Sequence, residues 1–129
     1  MPFILRILLV SLFTISLLSC SSTRAVETTL YFGMVKPAGR VSDDDWRSFA
    51  NLHINKVYPN GSTMIRGEGS WYDTATGSII REETRVVISV NRMSPRLSTE
   101  IDSLRYYYKR LFNQQSVLRT DKKVRMRLF

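Results

Sequence analysis

Between Thr28 and Phe129 the apolar residues switch between a two-residue and a helical period in an order that few folds accommodate. In Thr28–Val35, Leu30, Phe32 and Met34 fall on one side and Thr29, Tyr31, Gly33 and Val35 on the other, which predicts a strand. Trp46, Phe49, Ala50, His53, Ile54 and Val57 then recur at helical spacing. Ser42 and Asp45 form a capping-box pattern ahead of them, and Tyr58-Pro59-Asn60-Gly61 ends the helix. Ser62–Tyr72 and Ile79–Asn91 alternate again, joined by a hairpin loop at Asp73–Gly77. Leu97, Ile101, Leu104, Tyr108, Leu111 and Phe112 mark a second helix, capped by Ser98 or Thr99. Ser116–Arg119 and Val124–Phe129 supply the last strand, whole or in two pieces. The order β-α-β-β-α-β predicts an α+β, ferredoxin-like sandwich, an antiparallel sheet with two helices on one face, over residues 28–129.

The chain ahead of this domain reads differently. Arg6 gives a basic start, and Ile7–Leu18 is an apolar run of roughly 12 residues, too short for a spanning helix of about 20. It ends in Leu17-Leu18-Ser19-Cys20, which resembles the bacterial lipobox. Residues 1–19 are therefore expected to be a lipoprotein signal peptide. Cys20 is the lipidation site on this reading, and residues 20–27 are a polar tether. Each buried acyl methylene contributes about 0.8 kcal/mol, so several chains anchor where one does not. The expected partner is thus a membrane, through the lipid on Cys20. Ser21, where an inner-membrane lipoprotein would resemble the Asp-retained class, points to the periplasmic face of the outer membrane.

Cys20 is the only cysteine, so no intramolecular disulfide and no cysteine-based metal cluster can form. Asp43, Asp44 and Asp45 are consecutive, and successive helical residues splay by about 100°. They suit a helix N-terminus rather than a metal. His53, the only histidine, falls on an apolar helix face and reads as a packed core residue. No metal and no cofactor is expected. Gly67-Glu68-Gly69 lies within a strand, unlike a phosphate-binding loop. Trp46 and Trp71 each lie on the apolar face of their element and are expected in the core. Of Tyr106, Tyr107 and Tyr108, the last fits the apolar stripe.

A net charge of +8 favours anionic partners. If Ile65 and Trp71 face the helices, Arg66, Glu68, Tyr72, Arg81, Glu83 and Arg85 face outward on the open sheet, with Tyr31, Arg125 and Arg127 beside them. This basic, aromatic-bearing face is the candidate ligand or partner surface. Opposite charges favour a register pairing Tyr72 with Gly77, so that Arg66 meets Glu83 and Glu68 meets Arg81. Trp71 and Glu82, with Tyr31 near, are the candidate pocket between sheet and helices. An exported chain makes nucleic acid an unexpected partner.

Thr29-Leu30-Tyr31-Phe32-Gly33, Val41-Ser42-Asp43-Asp44-Asp45-Trp46, Gly67-Glu68-Gly69-Ser70-Trp71, Arg81-Glu82 and Gln115-Ser116-Val117-Leu118 together resemble the bacterial family called domain of unknown function 3574. The resemblance spans nearly the whole domain and implies no activity. Two roles follow from the residues. One is a lipid-anchored envelope protein that binds a protein or anionic partner through the open sheet. The other is a small enzyme with a pocket between sheet and helices. A homodimer is compatible with both.

Overall fold

The computed structural model describes residues 23–127. The expected signal peptide and Cys20 lie outside them. Strand β1 is Thr23–Gly33, followed by a small hairpin of β2 (Val35–Lys36) and β3 (Gly39–Arg40). Helix α1 begins as Asp43–Phe49, widens into a π-helical turn at Ala50–Ile54 and closes with Asn55–Val57. Strands β4 (Thr63–Asp73) and β5 (Ser78–Asn91) form a long hairpin, α2 is Pro95–Phe112, and β6 is Leu118–Met126. The main sheet has the order β4-β5-β1-β6, with every pair antiparallel. That is the ferredoxin-like arrangement expected from the period pattern.

Local chemistry explains the element ends. Ser42 Oγ accepts the Asp45 N–H, capping α1 above three acidic residues in its first turn. Helix α2 starts at Pro95 with Ser94 as its cap, ahead of the expected Ser98 or Thr99. Proline at the first helical position costs no backbone bond, because the N–H it lacks has no partner there. Asn113, left-handed at φ 50°, ends α2. Strand β1 reaches back to Thr23, so Thr23–Glu27 belong to the sheet rather than to a tether. Strand β6 is continuous through Asp121-Lys122-Lys123, whose polar side chains are tolerated on an exposed sheet edge.

Leu30 and Phe32 from β1, and Met34 just after it, project into a core closed by Trp46, Phe49, Ile54, Ile101, Leu104 and Tyr108. Phe32 sits at its centre, with edge contacts to Trp46, Phe49 and Tyr108 at 5.3, 6.0 and 4.7 Å. Half-buried His53 packs between Phe49 and Tyr107 rings, at 5.0 and 5.7 Å. Among the described residues the buried apolar side chains lie between Ala25 and Val117, so a chain beginning at Ser21 retains every one of them.

Candidate functional site

Residues paired across a sheet share a face, so the direction of β1 decides where every other strand points. Phe32 is in the core and pairs with Arg85, which pairs with Arg66; Leu30 pairs with Val87. Arg66, Glu68, Tyr72, Arg81, Glu83 and Arg85 do share one face, but it is the helix side. Arg125 is there too, because it pairs with Arg24. Tyr31, Ile65, Trp71 and Glu82 occupy the open side. Tyr31 is on the open side as expected, but for β4, β5 and Arg125 the expected assignment is inverted, and the reason is packing. Leu30 and Phe32 are the larger apolar load, and their burial fixes the parity that Ile65 and Trp71 must follow. Trp71 is accordingly 53% exposed, whereas Trp46 is 8%.

The hairpin register also departs from expectation. Tyr72 pairs with Ile79, which sets Arg66 against Arg85 and Glu68 against Glu83. Like charges directly opposite are unfavourable, and the helix layer supplies the compensation. Asp43, at the start of α1, lies 2.5 Å from Arg85 Nη2 and 3.2 Å from Arg66 Nη2. Glu83 lies 3.1 Å from Arg85 and 2.5 Å from Arg40. Partial desolvation opposes ionisation of Asp43. The Arg66 hydrogen bond and the charges of Arg66, Arg85 and Arg40 outweigh it and hold the carboxyl below its usual range. Arg85 is 6% exposed and joins hairpin to helix, a bracing role in place of the anion contact expected of it. Glu68 and Arg81 are only loosely paired, at 4.0 Å, and Tyr72 is exposed.

The open face is apolar, not basic. Leu118, Tyr31, Val86 and Ile65 form one row across the four strands, and Trp71 with Ile80 forms another further along the hairpin. Rows on one face are about 6.7 Å apart. Two rows separate these walls. The first is Gly33–Thr84–Gly67 and the second Glu82–Gly69. Three glycines therefore leave a hollow. Thr84 Oγ1 turns down to donate to the Phe32 carbonyl, leaving its methyl toward Gly67.

One carboxylate enters this hollow. Glu82 is half-buried and has no hydrogen bond or ion pair among the described residues. Its Oε1 lies 2.9 Å from where a Cβ would stand on Gly33, and Gln114 Oε1 lies 3.2 Å from the same point. Two acceptors thus close on the end of β1 because Gly33 has no side chain. Gln114 is held by donating Nε2 to the Val35 carbonyl, and the Tyr108 hydroxyl donates to the Gly33 carbonyl at 2.7 Å. Burial pushes the Tyr108 phenol up; Arg85 opposes this and Glu82 adds to it. Trp71 and Glu82 therefore do not line a pocket between sheet and helices as expected; both lie on the opposite, open face of the sheet. Sequence reasoning missed Gln114, which lies in a loop, and treated Gly33, Gly67 and Gly69 as backbone features only. Among the described residues no three His, Cys, Asp or Glu side chains group as a metal site requires.

A partnerless carboxylate over a glycine floor, between aromatic and aliphatic walls, is suited to an organic cation with a flat or apolar body. The split-βαβ sheet with its helices on one side defines the class, a ferredoxin-like α+β domain. The chain belongs to the family described as Protein of unknown function (DUF3574), whose model matches residues 27–128. No curated protein sequence matches it. Among solved structures, a phage SAM lyase in complex with S-methyl-5′-thioadenosine is similar in fold, with a TM-score of 0.57 and 11% identity over 79% of this chain and 90% of that chain. The apo phage SAM lyase has a TM-score of 0.57 and 12% identity over 87% and 98%.

Proposed function

We propose that the domain is the ligand-binding part of a lipid-anchored envelope protein, with the anchor on Cys20 and the site in the hollow of the open sheet face. The ligand is a small organic cation carrying a flat or apolar group. Glu82 carries this reading, since its half-buried carboxylate stands in the hollow with no hydrogen bond or ion pair among the described residues and is free to meet a ligand's cation. Tyr31 and Trp71, 39% and 53% exposed, wall the hollow and stack on the ligand. The expected location is the periplasmic face of the outer membrane.

A second reading makes the site an enzyme. It is favoured by the shared fold with phage SAM lyase. S-adenosylmethionine is a sulfonium cation joined to a flat nucleoside, the chemistry the hollow suits. Calorimetric titration with S-adenosylmethionine and with uncharged methylthioadenosine tests both readings. The sulfonium should bind at least about tenfold more tightly, and Glu82→Gln should remove that preference, because the amide keeps the shape of the side chain and loses the negative charge that attracts the cation. Time-dependent release of methylthioadenosine supports the enzyme; binding without release supports the binding module. Equal affinities, or a Glu82→Gln variant that binds like the parent, refute the assignment of the site.

A further inference from the structure

The opposite end of the domain carries a second surface. Strand β1 begins there, β5 and β6 end there, α1 finishes and α2 starts. A groove of about 1360 Å³ runs between them, and Lys56, Arg96, Arg125 and Arg127 line it against Glu27 and Glu100. Arg96 takes up Glu100 at 2.9 Å. Lys56, Arg125 and Arg127 have no ion pair among the described residues.

Arg24 stands directly opposite Arg125 across β1 and β6, both exposed. The other opposed arginines, Arg66 and Arg85, are compensated by Asp43 and Glu83. Among the described residues no carboxylate bridges Arg24 and Arg125. Opposed like charges destabilise a sheet, and neither side chain is needed in the core. The arrangement lacks its anion.

We infer that this end rests on an anionic phospholipid surface, with headgroup phosphates between the arginines. The inference rests on the Cys20 anchor for its placement. Thr23, the first residue of β1, is three positions from Cys20, so the anchor lies no more than about 10 Å from the start of that strand, whatever path the chain takes. That is close to the screening length of about 8 Å at physiological salt. The Glu82 hollow, at the far end of β1, then points away from the bilayer.

The test does not use the anchor. The chain from Ser21, whose fold is checked by circular dichroism, is sedimented with vesicles of phosphatidylcholine alone or with about 30 mol% phosphatidylglycerol. It should bind only the anionic vesicles, and release with salt. Combined Lys56→Ser, Arg125→Ser and Arg127→Ser should lower partitioning by on the order of a hundredfold, at about 1 kcal/mol per basic residue. Arg47→Ser, Arg81→Ser and Arg110→Ser together remove the same charge from the other end and should change it by less than about threefold. Equal binding to both vesicle types, or equal loss in both triple variants, overturns the inference. Loss of the Cys20 reading shows separately, as absence of lipid on the full chain.

Discussion

Replacing Gly33 with Ala separates the hollow's chemistry from the domain's stability. An added Cβ would meet Glu82 Oε1 at 2.9 Å and Gln114 Oε1 at 3.2 Å, both far ends of flexible side chains. The glutamate escapes by rotating, at a cost of about 0.5–1.5 kcal/mol if it must leave a favoured rotamer. The substitution also restricts the unfolded chain, which stabilises by about 0.4–1 kcal/mol. These nearly cancel, so the net change in stability should stay within about 1 kcal/mol, or about 4–8 °C in Tm for a domain this size. Binding has no such compensation. The carboxylate leaves its place, and a charge–charge contact of about 1–3 kcal/mol at a half-exposed site is lost, or about 5- to 150-fold in affinity. Urea unfolding and calorimetric titration with S-adenosylmethionine measure the two effects. If Gly33→Ala binds like the parent, the position of Glu82 does not matter and the hollow is not the site. If it unfolds by several kcal/mol, the contact is backbone strain and not a movable side chain.

The two tryptophans should part company: Trp46→Ala should cost about 3–5 kcal/mol in denaturant unfolding, and Trp71→Ala, on an exposed wall, under about 1 kcal/mol. Equal midpoints would refute the parity assigned to the sheet. Stability should fall in acid. Asp102 resists desolvation because Arg105 and Arg119 hydrogen-bond it, and like Asp43 it is held below its usual range. A depressed folded-state value stabilises the fold above the unfolded carboxyl pKa of about 3.9 and loses that contribution as pH falls through the folded value. Asp43→Asn and Asp102→Asn together should flatten the pH dependence of unfolding below about pH 4, and an unchanged slope would exclude these pairs as its source. Cys20→Ala should abolish metabolic palmitate labelling, and unchanged labelling would remove the anchor from the proposal.

The alternating and helical periods made the element order and topology readable, because burial leaves a regular mark on sequence. Parity between strands left none. Strand β5 has aliphatic residues on its even positions and Val87, Arg85 and Ser89 on the odd ones, so hydrophobicity alone turns the wrong side inward. What fixes its direction is β1, through a pairing of residues more than 50 apart in sequence. Arg85 on the helix side became tolerable only because Asp43 arrives from α1. A carboxylate from another element cannot be inferred from strand chemistry. The hollow was legible in part: Tyr31, Trp71 and Glu82 were singled out, while its floor consists of missing side chains and Gln114 reaches it from a loop.

The pairing of Thr23 with Met126 also sets when this domain can fold. Strand β1 lies between β5 and β6, so the first strand made waits for the last before both its edges are covered. Such distant contacts close slowly, because loop entropy is lost before they form. A nascent chain lacking Leu118–Met126 has both α1 and α2 in hand and still an open edge on β1. Tertiary closure is thereby deferred until β6 has been made, and until then the chain stays loosely held although both helices are already in hand.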